Sequence, residues 1–169
     1  AAAGVQAEIV KLLADPDLRV RAAAAVAYGK IGQPVPVVRR PQSEQAFFAP
    51  LFDLLKANDD KDPHLRHAAV MGLVHAARNP TDLWNAWTLA KGKYDIASVR
   101  MGVLLALRKH KSDKVAEFLS DAEPRLVAEA ARAVYDERLT TALPTLAKLA
   151  DKTGQPDAVA FRALAANYV

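Results

Sequence analysis

One pattern recurs along this chain and limits what it can fold into: an Asp- or Pro-marked turn, an aliphatic residue followed by Arg, then small residues at helical spacing. In "DPDLRVRAAAAVAYGKIG" the marks are Asp17, Val20, Arg21, Ala24 and Ala27. In "DKDPHLRHAAVMGL" they are Asp62, Leu65, Arg66, Ala69 and Gly72. In "YDIASVRMGVLLAL" they are Val99, Arg100, Val103 and Ala106, with Ile96 at the Asp position. In "DAEPRLVAEAARAV" they are Glu123, Leu126, Ala130 and Ala133, with Val127 in place of Arg. A fifth copy, "QPDAVAFRALAANY", keeps only the Pro start and the Ala-rich seam. The Arg-equivalent positions are 21, 66, 100 and 127, separated by 45, 34 and 27 residues, so loop insertion and helix shortening act on one repeating unit.

Strand-like alternation is nearly absent, and apolar residues recur at helical spacing throughout. Pro and the Asp/Asn clusters divide the chain into about ten short helices. The spacing pairs residues 5–14 with 18–31, 44–57 with 63–78, 81–91 with 96–110, 113–120 with 124–137, and 140–151 with 156–168. Asp17, Asp62 and their equivalents satisfy free N–H groups where the second helix of a pair starts. Pro suits that first turn because its missing donor is not needed there. Small residues on the seam let neighbouring helices approach closely. A two-helix unit cannot bury its apolar face alone, so stacked copies share one core. The expected fold is all-α, an α-solenoid of about five antiparallel helix pairs forming a single domain over residues 1–169. The repeated Arg21, Arg66 and Arg100 are read as structural positions, bonding the turn of the adjacent repeat; a ladder of ligand contacts is the functional alternative.

The chain is 51% hydrophobic but only 7% aromatic, which favours helices built from Ala and Leu over an aromatic-rich sheet. It contains no cysteine, so disulfides, thiolate metal sites, cysteine nucleophiles and covalently attached haem are excluded within it. No apolar run reaches the roughly 18–20 residues that cross a bilayer. The chain starts "AAAGVQAEIVKLL", without Met or a basic leader, and stops inside a helical pattern; both suggest a piece of something longer. A net charge of +4, spread along the chain, leans only faintly toward anionic partners.

The pattern resembles HEAT repeats, α-solenoid units with Asp and Val-Arg at the turn inside each pair. More narrowly, "DPHLRHAAVMGL", "AEPRLVAEAARAVYDERLTTALPTLAKLAD" and "FRALAANYV" resemble the HEAT region of large bacterial haem-binding or membrane-bound dehydrogenase proteins. In that family a β-propeller precedes the array and a c-type cytochrome domain follows. The resemblance implies an exported or periplasmic protein, with any redox chemistry lying outside this segment. No cofactor is carried over to any residue here, since CxxCH is absent.

Four features compete with a purely architectural reading. His64, His67, Met71 and His75 form one helical stripe away from the seam of Leu65, Ala68, Ala69, Gly72, Leu73 and Ala76. They are weak metal candidates, because a site needs three or four converging ligands and no carboxylate or thiol shares that helix face. The segment "GQPVPVVRRPQ", residues 32–42, is stiffened by Pro34, Pro36 and Pro41 and offers Arg39 and Arg40 as possible partner contacts, along with Arg66 and Arg100. The basic run "LRKHKSDK" ends a helix, where cations complement the dipole; phosphate contact, with Arg19, Arg66, Arg100 and Arg132, is the alternative. Trp84 and Trp87 are read as core residues of a short helix pair, and an exposed aromatic pair would instead mark a partner or sugar site. No nucleophile motif or phosphate loop is present; the seven glycines are isolated. The expected role is a non-catalytic scaffold or protein-interaction module that positions flanking domains or binds a protein partner. A nucleic-acid-binding HEAT protein similar to alkylpurine DNA glycosylases is one alternative and is disfavoured by the dispersed acids. A metal- or haem-contacting module is the other.

Overall fold

The computed structural model describes residues 2–31, 41–152, 154 and 156–168. Among them the fold is all-α, without a strand. The α-helices are α1 (Ala2–Leu12), α2 (Leu18–Ile31), α3 (Pro41–Asn58), α4 (Pro63–Ala76), α5 (Pro80–Leu89), α6 (Lys91–Tyr94), α7 (Ala97–Lys109), α8 (Pro124–Asp136), α9 (Leu143–Ala147) and α10 (Asp157–Ala166). Two 3-10 segments, Asp113–Ser120 and Lys148–Asp151, complete the order. Three differences from the sequence reading stand out. The helix expected over 81–91 is α5, ending at Leu89 with Ala90 N–H against three carbonyls of the preceding turn, and a further short helix, α6, follows it where none is expected. The one expected over 113–120 is 3-10, and that over 140–151 is α9 followed by a 3-10 turn. Pro41 and Gln42 open α3, whereas residues 32–40, with Arg39 and Arg40, lie outside the described residues.

Contacts divide the chain into two compact units, Ala1–Ala106 and Leu107–Val169. In the first, α1 packs on α2, α3 on α4, α2 on α4, and α3 on α5. Second helices of successive pairs therefore lie side by side, as do first helices α3 and α5. The core is built on α3, whose Phe48, Leu51, Phe52 and Leu55 are all at most 1% exposed. Each such side chain contributes about 1.5–3 kcal/mol by leaving water. An aromatic chain runs through it: Tyr28 to Phe47 at 5.1 Å, Phe48 to Phe52 at 6.2 Å, and Phe52 to Tyr94 at 5.2 Å between ring centroids. The buried Tyr28 hydroxyl donates to Phe47 O at 2.8 Å and accepts from Gln6 Nε2 at 3.3 Å, and burial pushes its pKa up.

The small-residue seam is where α2 meets α4. Gly29 lies so close to the Gly72 backbone that a Cβ there would overlap Gly72 O. A Cβ on Gly72 would sit 2.5 Å from Ala25 O. The seam on α4 contains the expected Leu65, Ala68, Ala69, Gly72, Leu73 and Ala76, all buried. On α2 it is Ala24, Ala25, Tyr28 and Gly29; Ala27 is only half-buried.

In the second unit the 3-10 segment Asp113–Ser120 packs on α8 and α9, and α10 packs on α8, α9 and the turn Lys148–Asp151. Val115, Leu126, Ala130, Val134, Leu146 and Val159 are fully buried there. The second helices, α8 and α10, again lie side by side.

The turn between α3 and α4 shows how a pair is closed. Asp59 and Asp60 take left-handed φ of 46° and 57°. Asn58, only 8% exposed, donates from Nδ2 to Asp62 O at 2.9 Å and accepts from Asp62 N at 3.1 Å. Asp62 caps α4 by accepting from Leu65 N at 2.6 Å, with Pro63 in the first turn. Asn58→Ala removes two bonds and leaves Asp62 N–H to find water, while Asp62 O keeps the bond from Arg66 N at 3.1 Å. It is expected to lower unfolding free energy by about 1–2 kcal/mol, read by urea denaturation. Asn58→Asp, which sets a carboxylate oxygen against Asp62 O and adds a charge beside Asp59, Asp60 and Asp62, should cost at least as much at neutral pH.

Candidate functional site

Arg66 and Arg100 each reach a carboxylate on the turn of their own helix pair. Arg66 Nη1 lies 3.2 Å from Asp60 Oδ1. Arg100 Nη1 donates to Asp95 O at 3.2 Å and to Asp95 Oδ1 at 3.0 Å. Asp95 thus supplies the carboxylate that the Asp position, occupied by Ile96, lacks. Both acceptors precede their Arg by five or six residues, on the turn between the two helices. The reason is geometric: the left-handed turn at Asp60 swings its carboxylate back over the start of α4, within reach of a side chain one turn further on.

Arg21 departs from its counterparts. Asp15 Oδ1 accepts from Asp17 N at 2.8 Å, and Asp17 Oδ1 accepts from Arg19 N at 2.7 Å, so both turn carboxylates serve the backbone. The Arg21 Nε is buried without a hydrogen-bond partner. The side chain instead lines a groove of about 450 Å³ together with Val10, Leu13, Ala14, Pro50, Asp53, Leu54 and Ala57. At the groove wall Asp53 is held by Lys93 Nζ at 3.0 Å and by the Tyr94 hydroxyl at 3.1 Å. Lys93 Nζ also donates to the Tyr94 hydroxyl at 2.7 Å and sits 4.7 Å over its ring. Burial raises the Tyr94 phenol above its usual pKa, and the bond to Tyr94, with that to Asp53, raises the Lys93 ammonium.

The histidine stripe is present as a stripe. His64, His67 and His75 are exposed and Met71 is half-buried, on the flank of α4 away from its seam. Among the described residues no group of three or more His, Asp or Glu is placed to hold a metal ion. Trp87 is 3% exposed and Trp84 half-buried, with their rings 5.3 Å apart, so the pair belongs to the core side of α5. Lys91 Nζ lies 4.9 Å over the Trp87 ring.

The basic run holds a feature that sequence reasoning missed. Arg108 Nη1 meets Glu129 Oε1 at 2.7 Å, its Nε meets Glu137 Oε1 at 3.1 Å, and its Nη2 stands 3.8 Å from Asp136 Oδ2. Desolvation pulls the guanidinium pKa down, but the bonds to Glu129 and Glu137 outweigh it and leave it above the ordinary value. Asp136 also meets Arg162 Nε at 3.5 Å, and Glu129 Oε2 meets Arg132 Nη1 at 3.4 Å. The partners lie more than twenty residues from Arg108, and no local spacing signals them. Of the cations weighed for phosphate contact, Arg66, Arg100 and Arg132 are each ion-paired.

Exposed apolar side chains gather on α10. Phe161 is 70% exposed, Leu164 55% and Tyr168, just past its end, 90%. They fall at i, i+3 and i+7, one stripe of a helix. With Pro156 aligned on Pro124, they occupy the places of Glu129, Arg132 and Asp136. Among the described residues no helix is long and apolar enough to cross a membrane. No protein-family model, no characterised protein and no solved structure matches this chain.

Proposed function

We propose that the chain is a non-catalytic HEAT-like module of about five helix pairs that binds a protein partner or an adjoining domain, with α10 as a docking helix. The observation carrying this reading is the exchange on α10: where α8 has Glu129, Arg132 and Asp136, α10 has the exposed Phe161, Leu164 and Tyr168. Packing within the repeat does not call for that exchange, since Val159, Ala163 and Ala166 already fill the buried face of α10. A stripe at i, i+3 and i+7 suits a helix or apolar segment laid along it. The side-by-side second helices, α2 with α4 and α8 with α10, support the repeat architecture. The phrases resembling haem-binding dehydrogenase proteins support a setting in which the module spaces a propeller from a cytochrome domain. Pairing of Arg66, Arg100 and Arg132 with carboxylates weighs against a nucleic-acid groove, because their charge is already compensated.

Photo-crosslinking tests the reading. Benzoyl-phenylalanine is placed at position 161, 164 or 168 in the protein produced from its own gene, and at the exposed Lys148 as a control. The expected result is one defined adduct, or one defined intramolecular crosslink, from all three stripe positions and none from position 148. Adducts scattered alike over all four positions would remove α10 as a docking helix.

A further inference from the structure

We infer that the groove between α1 and α3 is a docking site for an acidic peptide, whose carboxylate pairs with Arg21 and whose neighbouring aliphatic side chain fills the apolar wall. This goes beyond the role given to α10 and depends on different residues. Three observations carry it. The first is that Arg21 is the ladder position without a turn carboxylate: Arg66 has Asp60 and Arg100 has Asp95, while Asp15 and Asp17 accept backbone N–H groups. Its Nε is buried with no acceptor, as is that of Arg100, so what sets Arg21 apart is the missing carboxylate. The second is charge. Asp53, the other ionisable group of the groove, is neutralised by Lys93 at 3.0 Å, so the groove keeps the positive charge of Arg21. Arg offers a planar fork of donors suited to a carboxylate. The third is the wall: Val10, Leu13, Pro50 and Leu54 line the same groove within reach of an aliphatic group beside the anion.

The volume, about 450 Å³, falls in the range that accommodates small ligands. The groove is partly open to solvent rather than enclosed, which suits a segment of chain laid in it better than a free acid that must be wrapped on all sides.

The test uses two pools of acetylated hexapeptides, one with Glu fixed at the third position and one with Gln, both randomised among Leu, Ile and Val on either side. Sodium hexanoate is the third arm. Binding is followed on the whole chain by ¹⁵N–¹H correlation spectra, reading the Arg21 Nε–H signal and the amides of Leu13 and Leu54. The Glu pool should shift these three signals to saturation, with the Gln pool and hexanoate each at least tenfold weaker. Arg21→Gln should lose the same factor, while Arg66→Gln, whose carboxylate partner lies in its own turn, should keep wild-type binding. Equal binding of Glu and Gln pools, or shifts spread over the basic surface without a maximum at the groove, would overturn the site. Hexanoate binding as tightly as the Glu pool would overturn the peptide assignment. If Arg21→Gln does not fold, the Glu-to-Gln contrast on the wild-type protein still decides. Crosslinking at α10 has no bearing on these signals, so either proposal can fail alone.

Discussion

Replacing Gly29 with Ala is expected to lower the melting temperature by several degrees, the reverse of what this exchange does in an ordinary helix. Elsewhere a Gly-to-Ala change in a helix interior stabilises by up to about 1 kcal/mol, because Gly loses more backbone freedom on folding. At Gly29 the added methyl group would meet the Gly72 backbone, which no rotamer change can move aside. Helices α2 and α4 would have to separate, opening gaps along a seam of fully buried Ala25, Ala69 and Leu73. Overpacking of this kind costs about 1–3 kcal/mol or somewhat more when backbone must shift. For a chain of this length that is roughly 2–12 °C in melting temperature. Gly4→Ala is the matched control, since nothing lies within 4 Å of a Cβ built there; it should be neutral or slightly stabilising. Differential scanning calorimetry of the two variants checks the pair. A Gly29→Ala protein as stable as the wild type would mean that α2 and α4 are not in backbone contact.

Arg108→Met is expected to lose about 2–3 kcal/mol. The guanidinium is 23% exposed, and its acceptors Glu129, Glu137 and Asp136 are 14%, 28% and 38% exposed. Removing the cation leaves Glu137 without its ion pair and Glu129 and Asp136 with only Arg132 and Arg162, and an uncompensated buried partner costs about 3–5 kcal/mol in full burial. Partial solvent access reduces that figure. Met preserves the aliphatic stem, so the loss reads the charge rather than the packing. Arg108→Met combined with Glu129→Gln should recover about 1 kcal/mol of it, because the most buried of the three carboxylates is then neutral. Urea denaturation at neutral pH measures both. A loss below about 0.5 kcal/mol, or no recovery in the double variant, would reduce the cluster to surface charge. In 0.5 M salt most of the difference should persist, since partly buried pairs are screened less than exposed ones.

Much of this architecture can be read directly from residues. Asp62 followed by Pro63, Asn79 by Pro80 and Glu123 by Pro124 mark three helix starts, and the side chains of Asp62, Asn79 and Glu123 do accept from the first-turn backbone. The seam of α4 follows from its helical spacing alone. Other features follow from interactions that no local spacing contains. The short helix α6 after Ala90 has no signal of its own, since Gly92 just past the end of α5 reads as a helix stop. Gly29 reads as a weak point in a helix, yet it is where the α2 backbone meets that of α4. The basic residues after Leu107 read as partners of a helix dipole; the carboxylates that hold Arg108 are brought to it by α8. The stripe of histidines was visible as a stripe, and the structure puts three exposed imidazoles on it without a set of ligands. The groove at Arg21 was not visible at all, because it depends on what Asp15 and Asp17 do with their oxygens.

The contact between Gly29 and Gly72 also bears on mechanics. Two helix backbones already at van der Waals distance cannot move closer, since repulsion rises steeply there, but they can splay at the cost of lost dispersion contacts. The seam between α2 and α4 therefore acts as a one-sided stop: the first unit resists being squeezed along its second helices far more stiffly than it resists being opened. A load applied to this part of the molecule would meet a hard limit in one direction and a soft spring in the other.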